Sequence, residues 1–140
     1  MRMEFQTLIK NLSKNNGYRY VAATSSDRSR VEEILTNTNA IEYFDDIICG
    51  DEVSKGKTDS EIFLTACKKI DIWLNETLVL EDSEAGTLAA YRGNIDVICI
   101  PDKKYPEEYF ANKTTKIVYS LLCAAQYLMW LQKNLLRCCK

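Results

Sequence analysis

The stretch Leu78-Val79-Leu80-Glu81-Asp82-Ser83-Glu84-Ala85-Gly86 constrains this chain more than any other. Three apolar residues run straight into two adjacent acids, then into a short polar turn, a small residue and a glycine. A continuous apolar run bounded by turn signals suits a buried strand of a parallel sheet. The pattern from Thr87 to Tyr91 is helical. Carboxylates at the carboxyl end of such a strand stand where open α/β sheets bind ligands. Successive strand residues point to opposite faces, so Glu81 and Asp82 do not both turn into the core. Two acids at a buried strand tip are costly unless a cation compensates them. A hard, oxygen-preferring cation such as Mg2+ is the natural candidate. For an isolated Glu-Asp pair, two solvated loop acids are the other reading.

The chain has 140 residues, one domain's worth, with 18 basic and 20 acidic side chains and no histidine. No stretch concentrates basic residues, so nucleic acid is not an expected partner. Without histidine, Ser-His and Cys-His catalysis and His-ligated metal sites are excluded. The six cysteines form no C-x-x-C pair, and Cys49, Cys99 and Cys123 fall inside apolar runs, where a free thiol packs like a small hydrophobe. A reducing, cytoplasmic setting is expected, and the N-terminus has no signal-peptide pattern.

In chain order, Phe5, Leu8, Ile9 and Leu12 make one stripe of a helix from Met3 to Asn16, stopped at Gly17. Tyr18 to Ala23 reads as a strand ending in Thr24-Ser25-Ser26-Asp27. Ser26 or Asp27 can cap the next helix. Hydroxyls at such a turn, beside helix amides, can hold a phosphate oxygen, or they only cap. Ile47-Ile48-Cys49 reads as a brief strand. Thr58 to Glu61 has the spacing of a capping box, opening a helix with Ile62, Phe63, Ala66, Cys67 and Ile70 on one face. Lys57 therefore precedes a positive helix end, a conflict that a bound anion resolves; a solvated lysine is the alternative. Gly56-Lys57-Thr58 echoes a P-loop tail, but Asp51 stands where the first glycine belongs, and no strand feeds the motif. Ile95 to Ile100 is another apolar strand. Asp102 to Thr115 is surface loop with a helical turn, and Ile117-Val118 a last short strand. A docking helix follows from Tyr119, too short and interrupted for a membrane span. Tyr127 and Trp130 lie off its stripe as a candidate exposed patch.

The helix–strand alternation argues for one parallel α/β domain over residues 1–140, with 117–140 as a strand and helix tail. Three polar sites fall at strand ends or helix starts on one face: Thr24 with its neighbours, Lys57, and Glu81 with Asp82. This order resembles motifs of the haloacid dehalogenase (HAD) superfamily, in wording close to its β-phosphoglucomutase-like phosphatases. Val-Ala-Ala-Thr-Ser-Ser is similar to the second motif. Gly-Lys-Thr-Asp-Ser-Glu-Ile-Phe is similar to the G-K-P-x-P-x-x-F form around the third, with Thr58 and Ser60 at the two proline positions. Leu-Glu-Asp-Ser-Glu-Ala-Gly is close to the fourth and the most specific.

The resemblance implies a three-layer, Rossmann-like parallel sheet. It implies Mg2+ held by Asp82, with Glu81 assisting directly or through water. It assigns Lys57 to the transferring phosphoryl group and its nucleophile, and the Thr24 hydroxyl and Ser25 amide to a phosphoryl oxygen. The substrates implied are small phosphorylated metabolites, sugar phosphates among them, with neither nucleic acid nor membrane as partner.

Two departures accompany it. The family's nucleophile is the first aspartate of D-x-D-x-[TV], and no D-x-D occurs in this sequence. The helical cap that follows that motif is also missing. The chain thus reads as the C-terminal portion of such an enzyme, without its central strand. The strands Tyr18–Ala23 and Thr77–Leu80, which flank that strand in the family, then pair directly, leave a gap, or receive a strand from a complementing chain. Two function classes follow: a Mg2+-dependent phosphatase or hexose-phosphate mutase acting through an aspartyl-phosphate, or a non-catalytic remnant that at most binds Mg2+ and phosphate. The chain alone is expected to show no turnover, because covalent catalysis needs its nucleophile.

Overall fold

A computed structural model describes residues 17–102 and 104–138, with side chains as far as residue 131. The helix expected over Met3 to Asn16 lies outside the described residues. The described chain runs β1 (Val21–Ala23), α1 (Arg28–Asn37), β2 (Asp46–Ile48), α2 (Glu61–Lys69), β3 (Leu78–Glu81), α3 (Glu84–Arg92), β4 (Asp96–Cys99), α4 (Glu108–Ala111), β5 (Lys116–Ile117) and α5 (Leu121–Cys138). Short 3-10 turns at Ile41–Tyr43, Gly50–Glu52 and Leu74–Glu76 link some of them.

Every strand pairing is parallel, as the alternation predicts. Ala22 stands opposite Ile47 in the β1–β2 pair, Val79 opposite Val97 in β3–β4, and Cys99 opposite Ile117 in β4–β5. The two sheets remain separate, because β1 and β3 are not paired. Of the three arrangements open to these strands, the described residues show the gap.

The core follows from the period of two along β4. Val97 joins Phe63, Cys67, Val79, Ala89, Ala90 and Ile95 on the face covered by α2 and α3. Its neighbour Ile98 turns the other way, onto Val118 and Ala124 beneath α5. Helices on both faces make three layers. Ile98 is fully buried, a gain of about 1.5–3 kcal/mol for one such side chain. Among the described residues, no helix is long and apolar enough to cross a membrane.

Helix ends are set locally. Asp27 caps α1, its carboxylate accepting from the Arg30 amide at 3.0 Å. Gly93 closes α3, its amide donating to the Ala89 carbonyl at 3.1 Å. The capping box expected between Thr58 and Glu61 does not form. The helix starts later, with Ser60 as its N-cap and no side-chain cap bond, and Asp59 accepts from the Glu61 amide at 2.9 Å. The Glu61 carboxylate instead accepts from the Ser54 amide (3.0 Å), the Ser54 hydroxyl (3.0 Å) and the Lys55 amide (2.6 Å). Three loop donors outcompete the single one a capping box offers.

Candidate active site

The carboxyl ends of β1 and β3 open into one cavity of about 550 Å3. Thr24, Ser25, Lys57, Glu81 and Asp82 all line it. Residues far apart in sequence meet there because two parallel strands deliver their ends to one edge while the loop before α2 folds over it.

Thr24 continues the β1–β2 ladder by one residue, its amide donating to the Ile48 carbonyl at 3.0 Å. Its Oγ1 accepts from the Ser26 amide at 3.2 Å, so the turn is an ST-type hydroxyl turn whose own proton has no acceptor among the described residues. Gly50 holds the turn from behind. Its amide donates to the Ser26 carbonyl at 2.9 Å, and a Cβ placed on it would stand 2.3 Å from the Ser25 carbonyl oxygen. Only glycine allows that approach.

Glu81 and Asp82 have different surroundings. Oε2 of Glu81 accepts from the Ser83 amide (3.0 Å) and hydroxyl (2.8 Å), and Ser83 Oγ caps α3 by accepting from the Gly86 amide at 3.0 Å. A Cβ on Gly86 would lie 2.1 Å from Glu81 Cδ, so the carboxylate rests on the first turn of α3. Asp82 is exposed to the cavity. It has neither a hydrogen bond nor an ion pair among the described residues. The resemblance already set Asp82 ahead of Glu81; the hydrogen bonds add that Glu81 shapes the loop, while Asp82 is left open among the described residues.

Lys57 is also exposed and without an ion-pair partner among the described residues. Its neighbour Lys55 lies 3.8 Å from Asp59. Two residues that the sequence reading missed hold the loop that carries Lys57. One is Glu61, through the three bonds above; those loop amides keep its carboxyl below the usual range. The other is Arg92, whose Nη1 donates to the Thr58 carbonyl at 3.0 Å. Neither left a local signal, since both partners come from other parts of the chain. Cys99 sits at the end of β4, where burial, and after it the Glu81, Asp82 and Glu84 carboxylates, push its thiol up against the opposing contact from Thr87.

A doubly wound, parallel α/β fold with a polar cavity at the strand ends defines a class of ligand-binding sheet proteins. The chain belongs to the haloacid dehalogenase-like hydrolase family, whose model matches residues 3–100. It is 40% identical over 72 residues to validoxylamine A 7'-phosphate phosphatase of Streptomyces hygroscopicus subsp. limoneus, covering 51% of this chain and 34% of that protein. Its fold is similar to the structure of a candidate beta-phosphoglucomutase from Thermotoga maritima, with TM-score 0.77 and 24% identity, over 89% of this chain and 57% of that one. CbbY from Rhodobacter sphaeroides, solved with phosphate, gives TM-score 0.73 and 28% identity, over 84% and 52%. The chain spans 30% to 39% of the length of the first curated relatives it matches.

Proposed function

We propose that this cavity is the phosphate- and metal-binding part of a Mg2+-dependent phosphatase or hexose-phosphate mutase. The observation that carries the reading is the meeting of Thr24, Lys57 and Asp82 in one cavity, with Lys57 and Asp82 left unpaired among the described residues. Phosphoryl transfer asks a protein mainly for positioning and charge neutralisation. The Thr24 oxygen already accepts from Ser26, so its proton is available to a phosphoryl oxygen, beside the Ser25 amide. The Lys57 ammonium supplies a point charge next to them.

The acids fit Mg2+ by their chemistry. Asp82 offers unengaged carboxylate oxygens, and Glu81 keeps Oε1 for a water while Oε2 serves Ser83. Such a pair suits an ion bound through one or two carboxylates, with water and phosphate completing the shell. When bound, it would neutralise the phosphoryl oxygens. Glu81 and Asp82 are the only carboxylates among the described residues lining the cavity. The attacking aspartate that the family resemblance implies is not one of them, and the cavity is read as the binding half of the site. Relatives named for phosphatase action on validoxylamine A 7'-phosphate and on phosphorylated carbohydrates support sugar-like phosphate esters as the substrate class. Residues 117–138 belong to the same domain on this reading, since Ala124 and Ala125 of α5 are buried. Buried free thiols at Cys49, Cys67 and Cys99 support a reducing, cytoplasmic setting.

Calorimetric titration with inorganic phosphate tests the reading. Binding should strengthen with Mg2+, and Asp82→Asn should remove that dependence. Phosphate affinity indifferent to Mg2+ and to Asp82→Asn would overturn it. Hydrolysis of p-nitrophenyl phosphate by the same samples reports whether binding leads to turnover.

A further inference from the structure

Lys55 stands where two cavities meet. It lines the cavity of about 550 Å3 at the strand ends, and also a groove of about 350 Å3 along α2, with Asp59, Ser60, Leu64 and Lys68. Among the described residues, no other side chain belongs to both. Val53, Lys55 and Lys57 line the cavity, while Ser54 turns away to donate its hydroxyl to Glu61 at 3.0 Å.

The backbone of Lys55 is fixed and its ammonium is not. Its amide donates to Glu61 Oε2 at 2.6 Å. Its Nζ lies 3.8 Å from Asp59, and the two side chains are 68% and 39% exposed. An exposed pair at that separation holds weakly. The ammonium can therefore leave Asp59 for a ligand at little cost, from a stem whose root stays in place. The other end of the hydroxyl turn offers an anion no such partner. There the Asp27 carboxylate occupies the start of α1, accepting from the Arg30 amide at 3.0 Å and the Ser29 hydroxyl at 2.8 Å. A negative ligand group would meet a like charge at that point.

We propose that Lys55 is a specificity-determining residue, selecting substrates that carry a second anionic group, carboxylate or phosphate, beyond the transferring phosphoryl group. The inference rests on the phosphoryl reading of the cavity, in which Lys57 answers the phosphoryl group and the acids of β3 answer the metal. Lys55 is then a cation that the phosphoryl group does not engage. Asp59 holds its ammonium in reserve, and the second anion takes it over. A substrate without that anion leaves the Lys55–Asp59 pair undisturbed and gains nothing from it.

Calorimetric titration of the full chain, with Mg2+ present, tests this with two matched pairs of ligands. The first is 3-phosphoglycerate against glycerol 3-phosphate, where a carboxylate replaces a hydroxymethyl group. The second is fructose 1,6-bisphosphate against fructose 6-phosphate, where a second phosphoryl group is added. In at least one pair, the ligand with the second anionic group should bind tighter by about fivefold or more. Which pair shows the difference tells carboxylate from phosphate. Lys55→Met should erase the difference, whereas Lys57→Ala should weaken both members of a pair. Asp59→Asn keeps the oxygen that accepts from the Glu61 amide at 2.9 Å but gives up the charge that holds Lys55, so it should widen the difference. Equal binding within both pairs, a difference that survives Lys55→Met, or one that narrows in Asp59→Asn would overturn the proposal and leave the phosphoryl site in place. No binding of any of the four ligands would overturn the phosphoryl reading itself, and this inference with it.

Discussion

Arg92 Nη1 donates to the carbonyl oxygen of Thr58 at 3.0 Å, joining the last turn of α3 to the loop that presents Lys57. These residues lie 34 positions apart. The bond stands where the family motif places a proline, at Thr58, so a long-range tie replaces the local stiffness of a proline ring. Arg92→Gln should weaken phosphate binding a few-fold with little change in Tm, since a hydrogen bond from a charged donor contributes about 1.5–3 kcal/mol at most and this one is exposed. Calorimetry on the two proteins checks it; unchanged affinity would make the tie purely structural.

Lys57→Ala should lower phosphate or vanadate affinity by about tenfold or more, because it removes the cavity's unpaired cation. Its Tm should stay near that of the parent chain, as no ion pair is lost among the described residues. Equal affinity in both proteins would return Lys57 to the role of a solvated lysine.

Gly50→Ala and Gly86→Ala should behave differently. At Gly50 the new Cβ meets backbone, 2.3 Å from the Ser25 carbonyl oxygen. Backbone has nowhere to move, so a loss of about 1–3 kcal/mol is expected, read as a lower urea midpoint. At Gly86 the new Cβ meets the Glu81 carboxylate, which can swing aside at the cost of its bonds to Ser83. The smaller stability loss there should come with weaker Mg2+-dependent phosphate binding. Equal midpoints for the two variants would contradict the packing described.

Glu52 ties the amino-terminal half together. The Cys49 amide, then Lys69 and Arg28, hold its carboxyl down to about 2. Lys69 Nζ lies 3.1 Å from its Oε2, and the Cys49 amide donates to its Oε1 at 3.0 Å. A carboxyl depressed in the folded state stabilises the fold above its ordinary value, and that contribution is lost as pH falls toward the folded value. Glu52→Gln should therefore have a lower urea midpoint than the parent chain at pH 7, with the difference shrinking between about pH 4.5 and pH 2. A difference that does not change with pH would point to lost packing instead of lost charge.

Of the two aromatics expected off the helix stripe as an exposed patch, Trp130 is exposed, but Tyr127 is half-buried and packs against the cluster of Ile98, Val118 and Ala124. The Tyr127 and Trp130 rings lie 6.4 Å apart at 16°, and Trp130 is 59% exposed. Helix periodicity made the buried face of α2 legible, but not that Tyr127 turns toward the core. The failed capping box at Thr58 shows the limit of such reading. A spacing of three residues is local, but the donors that captured Glu61 come from Ser54 and Lys55, and only the folded loop brings them near.

By itself, the sequence determined the parallel α/β order and pointed to Thr24, Ser25, Lys57, Glu81 and Asp82, five of the residues that line the cavity. Both rest on short-range facts: apolar runs of strand length, turn residues after them, and polar groups at strand ends. Tertiary structure showed what engages Glu81, the Ser83 amide and hydroxyl, and that Asp82 has no such bond among the described residues. It alone revealed Gly50, Glu61 and Arg92 as the supports of the two binding loops. It also decided that β1 and β3 stand apart, because strand partners are chosen by backbone edges meeting in space, and side-chain pattern does not record which edges meet.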